Sequence, residues 1–116
     1  MNEEELARLH KALSVPVRLK IIRLISGRPL CVNAITRSLQ ISQPAVSQHL
    51  AVLRQADLVR GEKRGYMVHY TLNRARLQEL RHAVDSFPEE PTAVSAETEG
   101  ATAAGDPVPL VAKMES

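Results

Sequence analysis

The stretch SQPAVSQHLAVLRQADLVRGEKRGYMVHYTL, residues 42–72, changes its hydrophobic period halfway along. From about residue 43 to 56, apolar residues recur at the spacing of a helix with one buried face: Val46, Leu50 and Leu53. Ser42 is a suitable N-cap for this helix, and Pro44 lies in its first turn. The remainder is rich in β-branched and aromatic residues on either side of GEKRG, residues 61–65. This pattern predicts a β-hairpin with a charged tip.

The rest of the domain is predicted to be helical. Three helices precede the stretch, at about 3–13, 15–26 and 32–39, and a last helix follows Asn73, its predicted cap, and ends near residue 86. The third and fourth helices are joined by a short turn, and the fourth is capped and polar on its outer face, as in a helix-turn-helix. The predicted fold is mainly α with a small β-hairpin, in the order ααααββα.

Charge divides the chain into two segments. Residues 1–86 carry 14 Lys and Arg against 7 Asp and Glu, whereas residues 87–116 carry 1 against 6. We therefore predict a basic domain over 1–86 and an acidic, disordered tail rich in Pro, Ala, Thr and Glu over 87–116. A basic domain favours an anionic partner such as nucleic acid.

The remaining bulk features indicate a cytoplasmic protein without a membrane segment. A single cysteine, Cys31, excludes an internal disulfide and favours a reducing compartment. The amino terminus is acidic and amphipathic, unlike a signal peptide, and no stretch reaches the ~20 apolar residues of a membrane span.

The motif S-Q-x-x-V-S-x-H-L-x-x-L, followed by a basic hairpin, resembles the ArsR/SmtB family of winged helix-turn-helix repressors. The segment ALSVPVRLKIIRLI resembles the second helix of that family, and the resemblance covers about residues 5–86. It implies a homodimer, joined through the first and last helices, that represses an operator until an effector releases it.

The residues themselves support a double-stranded DNA partner. Opposite the buried stripe, the outer face of the fourth helix is centred on Pro44 and Gln48, and glutamine can read adenine with two hydrogen bonds. We predict a recognition helix over about 43–56 and a basic wing over about 60–66, which in a twofold dimer would read an inverted repeat. His49 is predicted either to contact phosphate or to pack internally, and Arg54 either to contact DNA or to offset its helix dipole. The predicted DNA contacts are Ser42, Gln43, Ser47, Gln48, His49, Arg54, Arg60, Lys63 and Arg64.

The first and last helices carry apolar stripes that exceed the needs of one small core. These stripes predict a dimer interface, although they could also serve the core of a single chain. The predicted interface residues are Leu6, Leu9, Leu13, Leu77, Leu80 and Val84.

Apart from Cys31, the residues at the two metal sites of the family differ here from metal ligands. The resemblance places Cys31, Val32 and Asn33 where metal-binding relatives carry C-V-C, and one thiolate is a poor site for a soft metal. It also places Arg74 and Arg76 where other relatives carry metal ligands on the last helix, and guanidinium groups cannot ligate a cation. No metal and no cofactor are therefore predicted. Cys31 is predicted to be the N-cap of the third helix, either as a serine-like residue or as a thiol open to oxidation.

Three hypotheses of function remain open. The first is a DNA-binding transcriptional repressor whose effector is not a classical metal, and the second is a repressor without an effector, controlled by its own abundance. The alternative to both is a winged-helix module that docks a protein partner or RNA without reading an operator. An enzyme is not predicted, because no nucleophile–base arrangement, paired-carboxylate site or phosphate-binding glycine loop is visible.

Overall fold

The structure, a computed structural model, describes residues 1–88. Apart from its first two residues, the predicted tail over 87–116 lies outside the described residues. The elements are α1 (Glu3–Leu13), α2 (Pro16–Gly27), β1 (Leu30–Cys31), α3 (Val32–Leu39), α4 (Gln43–Gln55), β2 (Val59–Arg64), β3 (Met67–Leu72) and α5 (Arg74–Ser86). The predicted order of five helices and a hairpin is confirmed, and the helix ends agree to within one residue or so. No helix within the described part of the chain is long and apolar enough to cross a membrane.

Local side-chain chemistry determines where the helices begin and end. The Asn2 side chain accepts a hydrogen bond from the Glu5 backbone N–H at 2.8 Å, and so caps α1. The Ser42 hydroxyl accepts one from the Ala45 N–H at 3.2 Å, which confirms the predicted cap of α4. Between α3 and α4, Gln40 adopts a left-handed conformation with φ of 57°. This residue ends α3 and produces the tight turn of the helix-turn-helix.

The sheet has one strand more than the sequence predicts. Leu30 pairs with Tyr70 and Cys31 with His69, so that β1 lies antiparallel to β3 and the strand order is β1-β3-β2. Two residues cannot show a period in the sequence, and β1 is a strand only because the edge of β3 offers it hydrogen-bonding partners.

The predicted position of the hairpin turn was wrong. The sequence places GEKRG at the tip, whereas β2 continues through Arg64, which pairs with Met67. The turn is the two-residue loop Gly65–Tyr66, and Gly65 has φ of 63°. A positive φ at the first central residue suits a tight antiparallel turn, and glycine adopts it without steric cost. The charged residues Glu62 and Lys63 therefore lie along a strand.

One core joins all five helices to the base of the hairpin. The apolar residues buried in it are Leu9, Ala12, Ile21, Ile25, Ile35, Val46, Leu50, Leu53, Leu58, Val59 and Leu80. The buried stripe predicted for α4 is confirmed, because all three of its residues are at most 1% exposed.

Asn73 is the one buried polar residue of the described chain, and it connects three segments. Its side-chain nitrogen donates to the carbonyl of Asp57 at 2.8 Å, and its backbone N–H donates to Leu58 at 2.9 Å. Its side-chain oxygen accepts from the backbone N–H of Arg76 at 3.2 Å, which confirms the predicted cap of α5. Because Asp57 has φ of 61°, this contact also holds a left-handed turn after α4.

We expect Gly65→Ala to lower the free energy of unfolding by about 1–2 kcal/mol, since an L side chain is unfavourable at positive φ. Gly27→Ala is the matched control, because Gly27 ends α2 and a Cβ there would meet nothing within 4 Å. The control should be neutral or stabilising. Urea unfolding at a fixed protein concentration measures both variants, and an unchanged midpoint for Gly65→Ala would contradict the turn described here.

Candidate nucleic-acid interface

The outer face of α4 is polar, small and open to solvent. Because the apolar stripe faces the core, the opposite side of the helix exposes Gln43, Pro44, Ser47, Gln48 and Ala51. The two glutamines supply amide donors and acceptors, and Ser47 and Ala51 add little bulk around them. This face can approach a planar or grooved ligand closely while offering directional hydrogen bonds.

The three other predicted contacts on this segment have different surroundings. Ser42 is exposed, and its oxygen is already engaged in capping α4, although its hydroxyl hydrogen remains available as a donor. Arg54 is exposed in the last turn of α4, where both of its predicted roles are compatible with its position. His49 is partly buried beside α2.

The side chain of Arg18, on α2, holds His49 in place. Arg18 Nε donates a hydrogen bond to His49 Nδ1 at 3.2 Å, which leaves the other ring nitrogen of the histidine as the donor. The same guanidinium also donates to the carbonyls of Lys11 at 3.4 Å and Ala12 at 3.2 Å. These carbonyls belong to the last turn of α1, which needs hydrogen-bond donors. Arg18 thereby joins α1, α2 and α4, a role that the sequence did not indicate.

The residues predicted for the wing lie on the hairpin β2–β3 and its turn. Arg60, Lys63 and Arg64 are all exposed on β2. Arg64 pairs with Glu62 at 3.1 Å, and Arg60 lies 3.8 Å from Asp57. These exposed pairs are weak, and a phosphate can replace the carboxylate in either of them. Lys63 has no ion pair among residues 1–88.

Tyr66 is a surface residue that the sequence interpretation included in the wing over about 60–66 without predicting a contact for it. It is fully exposed at the turn, and the exposed Met67 and Val68 follow it on β3. These side chains and Gln43, at the start of α4, line the same open groove of about 230 Å³. The wing and the amino-terminal end of α4 therefore form one continuous surface. In the sequence, the signal that could have indicated this exposed side chain is an aromatic residue directly after Gly65, the glycine of the turn.

Cys31 borders this surface without completing a metal site. It is half-buried at the N-cap position of α3, as predicted, but its side chain makes no capping hydrogen bond. Residues 1–88 hold no group of three or more His, Cys, Asp or Glu side chains able to bind a metal together. Its sensitivity to oxidation stays a prediction.

The two arginines at the start of α5 are committed to contacts within the chain. Arg74 donates to the carbonyl of Ser26 at 2.5 Å. Arg76 pairs with Glu5 at 2.9 Å and with Glu79 at 3.2 Å, and the hydrogen bond to Glu5 is the main cause that raises the pKa of Arg76. These contacts connect α5 to α1 and α2.

The predicted interface residues do not share one environment. Leu9 and Leu80 are buried in the core of the single chain, whereas Val84 is 46% exposed. The other three are partly buried and pack against the core. Of these six residues, Val84 leaves the most apolar surface uncovered in the single chain.

Known proteins resemble this chain over the same region. Residues 15–60 match the family model described as bacterial regulatory protein, arsR family. The transcriptional repressor SdpR of Bacillus subtilis is 36% identical over 69 residues, which cover 60% of this chain and 77% of SdpR. The arsenical resistance operon repressor of Staphylococcus xylosus is 35% identical over 85 residues, covering 73% of this chain and 82% of that protein.

Solved structures show the same fold. An ArsR-like transcriptional regulator from Rhodococcus sp. RHA1 superposes with a TM-score of 0.68 at 25% identity, covering 87% of this chain and 89% of that one. Reduced HlyU from Vibrio cholerae N16961 gives a TM-score of 0.61 at 31% identity, covering 75% and 93%. The extent and identity of these matches show that the chain belongs to the ArsR family of DNA-binding transcriptional repressors, and that it is a regulatory protein and not an enzyme.

Proposed function

We propose that this chain is a homodimeric repressor that reads an inverted-repeat operator with α4. In this proposal the wing contacts the phosphate backbone of the DNA beside each half-site. The observation that carries the proposal is the continuous exposed surface formed by the polar face of α4 and the basic hairpin. Its domain is residues 1–86, followed by the acidic segment 87–116. Its proposed place of action is the cytoplasm.

The chemistry of α4 suits the major groove. An α-helix enters that groove when its outer side chains are small, and Ser47 and Ala51 satisfy this condition. Gln48, at the centre of the face, is the residue that we expect to read a base, with adenine as its preferred partner. Gln43 lies five residues earlier, beside the wing, and is expected to contact the edge of the same half-site.

We expect the wing to contribute positive charge to DNA binding and no base-specific contacts. Lys63 and Arg64 lie on an exposed strand next to the turn, where they can meet phosphates or enter the minor groove. Because Arg64 already pairs with the exposed Glu62, its contact with DNA exchanges one anion for another. Lys63 makes a new ion pair, and we expect it to contribute most to the salt dependence of binding.

A twofold dimer gives the operator its symmetry. The exposed Val84 and the partly buried leucines of α1 and α5 are the apolar surface that a second chain would cover. Two recognition helices related by a twofold axis read half-sites whose centres lie about one helical turn of DNA apart, or a multiple of it. The effector is not a classical thiolate or last-helix metal.

We expect Gln48→Ala to weaken operator binding by about 1–3 kcal/mol while leaving binding to random DNA unchanged, because it removes a base contact. Lys63→Ala should weaken both equally and reduce the salt slope by about 1. Fluorescence anisotropy at several salt concentrations, on DNA from upstream of the gene, measures these effects. Lys20→Ala is the matched control for Lys63→Ala, since it changes the same residue type on another exposed surface, and random DNA is the control for Gln48→Ala.

The proposal fails if no inverted repeat near the gene is bound more tightly than random DNA at physiological salt. Wild-type behaviour of Gln48→Ala at a confirmed operator would exclude α4 as the reading element. RNA or protein binding without operator binding would identify the chain as a docking module.

We expect Arg18→Ala to lower the free energy of unfolding by about 1–3 kcal/mol, because it leaves the Ala12 carbonyl of α1 without its donor and His49 without its partner. Operator affinity should fall further than affinity for random DNA, since the position of α4 relative to α1 is loosened. The measurements are urea unfolding and anisotropy under conditions where the variant is folded. Arg8→Ala, an exposed arginine of α1, is the control, and equal stability of the two variants would refute the role of Arg18.

A further inference from the structure

A second concave surface lies on α2 and α5, apart from the residues proposed to contact DNA. It is an open groove of about 430 Å³, a volume within the range of small-molecule sites. The residues that line it are Ile22, Arg23, Ser26, Leu72, Arg74, Leu77, Gln78 and Arg81. Only Leu77 also belongs to the predicted dimer interface. We call this surface the arginine groove.

The charge of the arginine groove has one sign. Arg23 lies on α2, and Arg74 and Arg81 lie on α5, and no Asp or Glu is among the residues that line the groove. Within residues 1–88, the ion pairs formed by arginine involve Arg60, Arg64 and Arg76, and none of these three groove arginines. The concentration of unneutralised guanidinium groups favours an anionic occupant.

One of the three arginines is already held in place. Arg74 donates to the carbonyl of Ser26, in the last turn of α2, at 2.5 Å. A guanidinium carries five N–H donors, so this contact orients the group and leaves other donors for a ligand. Arg23 and Arg81 are exposed on either side and can close on an anion with charge-assisted hydrogen bonds.

The groove also has an apolar part. Ile22, Leu72 and Leu77 are partly buried hydrophobic residues that border the groove and pack against the core. A ligand that consisted only of charge, such as an inorganic ion or a phosphate of the DNA backbone, would leave this surface unused. A ligand with a carboxylate and a hydrocarbon body would use both parts.

We propose that the arginine groove binds a small organic anion, a carboxylate with an apolar body, between α2 and α5. The helix α2 that forms one wall also carries Arg18, one turn before Ile22, and Arg18 contacts the recognition helix through His49. A ligand that draws α2 and α5 together therefore acts on the helix that positions α4. The role of this ligand as the effector rests on the DNA-binding function proposed above, whereas the binding of the ligand to the groove does not.

Octanoate is a suitable probe, because it combines a carboxylate with a flexible hydrocarbon chain. Isothermal titration of the full chain without DNA measures its affinity. We expect Arg23→Gln/Arg81→Gln to weaken octanoate binding by about tenfold or more, through the loss of charge-assisted hydrogen bonds. Arg8→Gln/Arg37→Gln removes the same charge from exposed positions on α1 and α3 and should bind octanoate like the wild type. Octan-1-ol, which lacks the charge, should not distinguish the groove variant from the wild type.

A second titration tests the effector role with a confirmed operator. Octanoate should lower the operator affinity of the wild type and leave that of Arg23→Gln/Arg81→Gln unchanged. If octanoate binds as expected and no operator exists, the proposed function fails and the binding site stands. If an operator is bound and octanoate leaves its affinity unchanged, the effector role is refuted.

Three results would overturn the binding site itself. The first is the absence of octanoate binding up to about 1 mM, or equal binding by the groove variant. The second is that octanoate does not bind the wild type, while the groove variant binds DNA more weakly and with a smaller salt dependence. This result would identify the groove as a contact with the DNA backbone. The third is dissociation of the groove variant into monomers without octanoate binding, which would identify a surface covered by a second chain.

Discussion

Burial of a single stripe of α4 is the constraint on which the candidate interface depends. Val46, Leu50 and Leu53 are at most 1% exposed, and burying each of them contributes about 1.5–3 kcal/mol relative to exposure. A rotation of α4 that brought its polar face inward would expose this stripe and bury glutamine side chains without partners. The same burial that stabilises the fold therefore determines which side chains are available to meet DNA.

Polar contacts then fix the elements around that helix. Asn73 joins the turn after α4 to the start of α5, and Arg18 joins the last turn of α1 to His49 on α4. Each satisfies backbone groups that a helix end or a sharp turn leaves without partners. In this small domain, the position of α4 relative to α1 and α5 depends on a few such side chains as well as on the core.

Much of the architecture could be predicted from local patterns. The bounds of the helices follow from apolar spacing and from caps such as Ser42 and Asn73, because these signals act within one turn of the chain. The polar face of α4 follows from its buried stripe for the same reason. The hairpin was predicted with the wrong tip, since the charged residues of GEKRG resemble a loop, whereas the positive φ required by the turn falls on Gly65.

The sequence by itself determined the helices, the caps Ser42 and Asn73, the basic hairpin and the face of α4 that is exposed, because each depends on neighbours in the chain. Only the tertiary structure decided that Leu30–Cys31 is a strand, that His49 accepts a hydrogen bond from Arg18, and that three arginines line one groove. The hydrogen bond from Arg18 to His49 joins residues that are 31 positions apart in the sequence. The hydrogen bond from Arg74 to Ser26 joins residues that are 48 positions apart. No local period or spacing encodes such a contact, since it forms only when the core has brought the helices together.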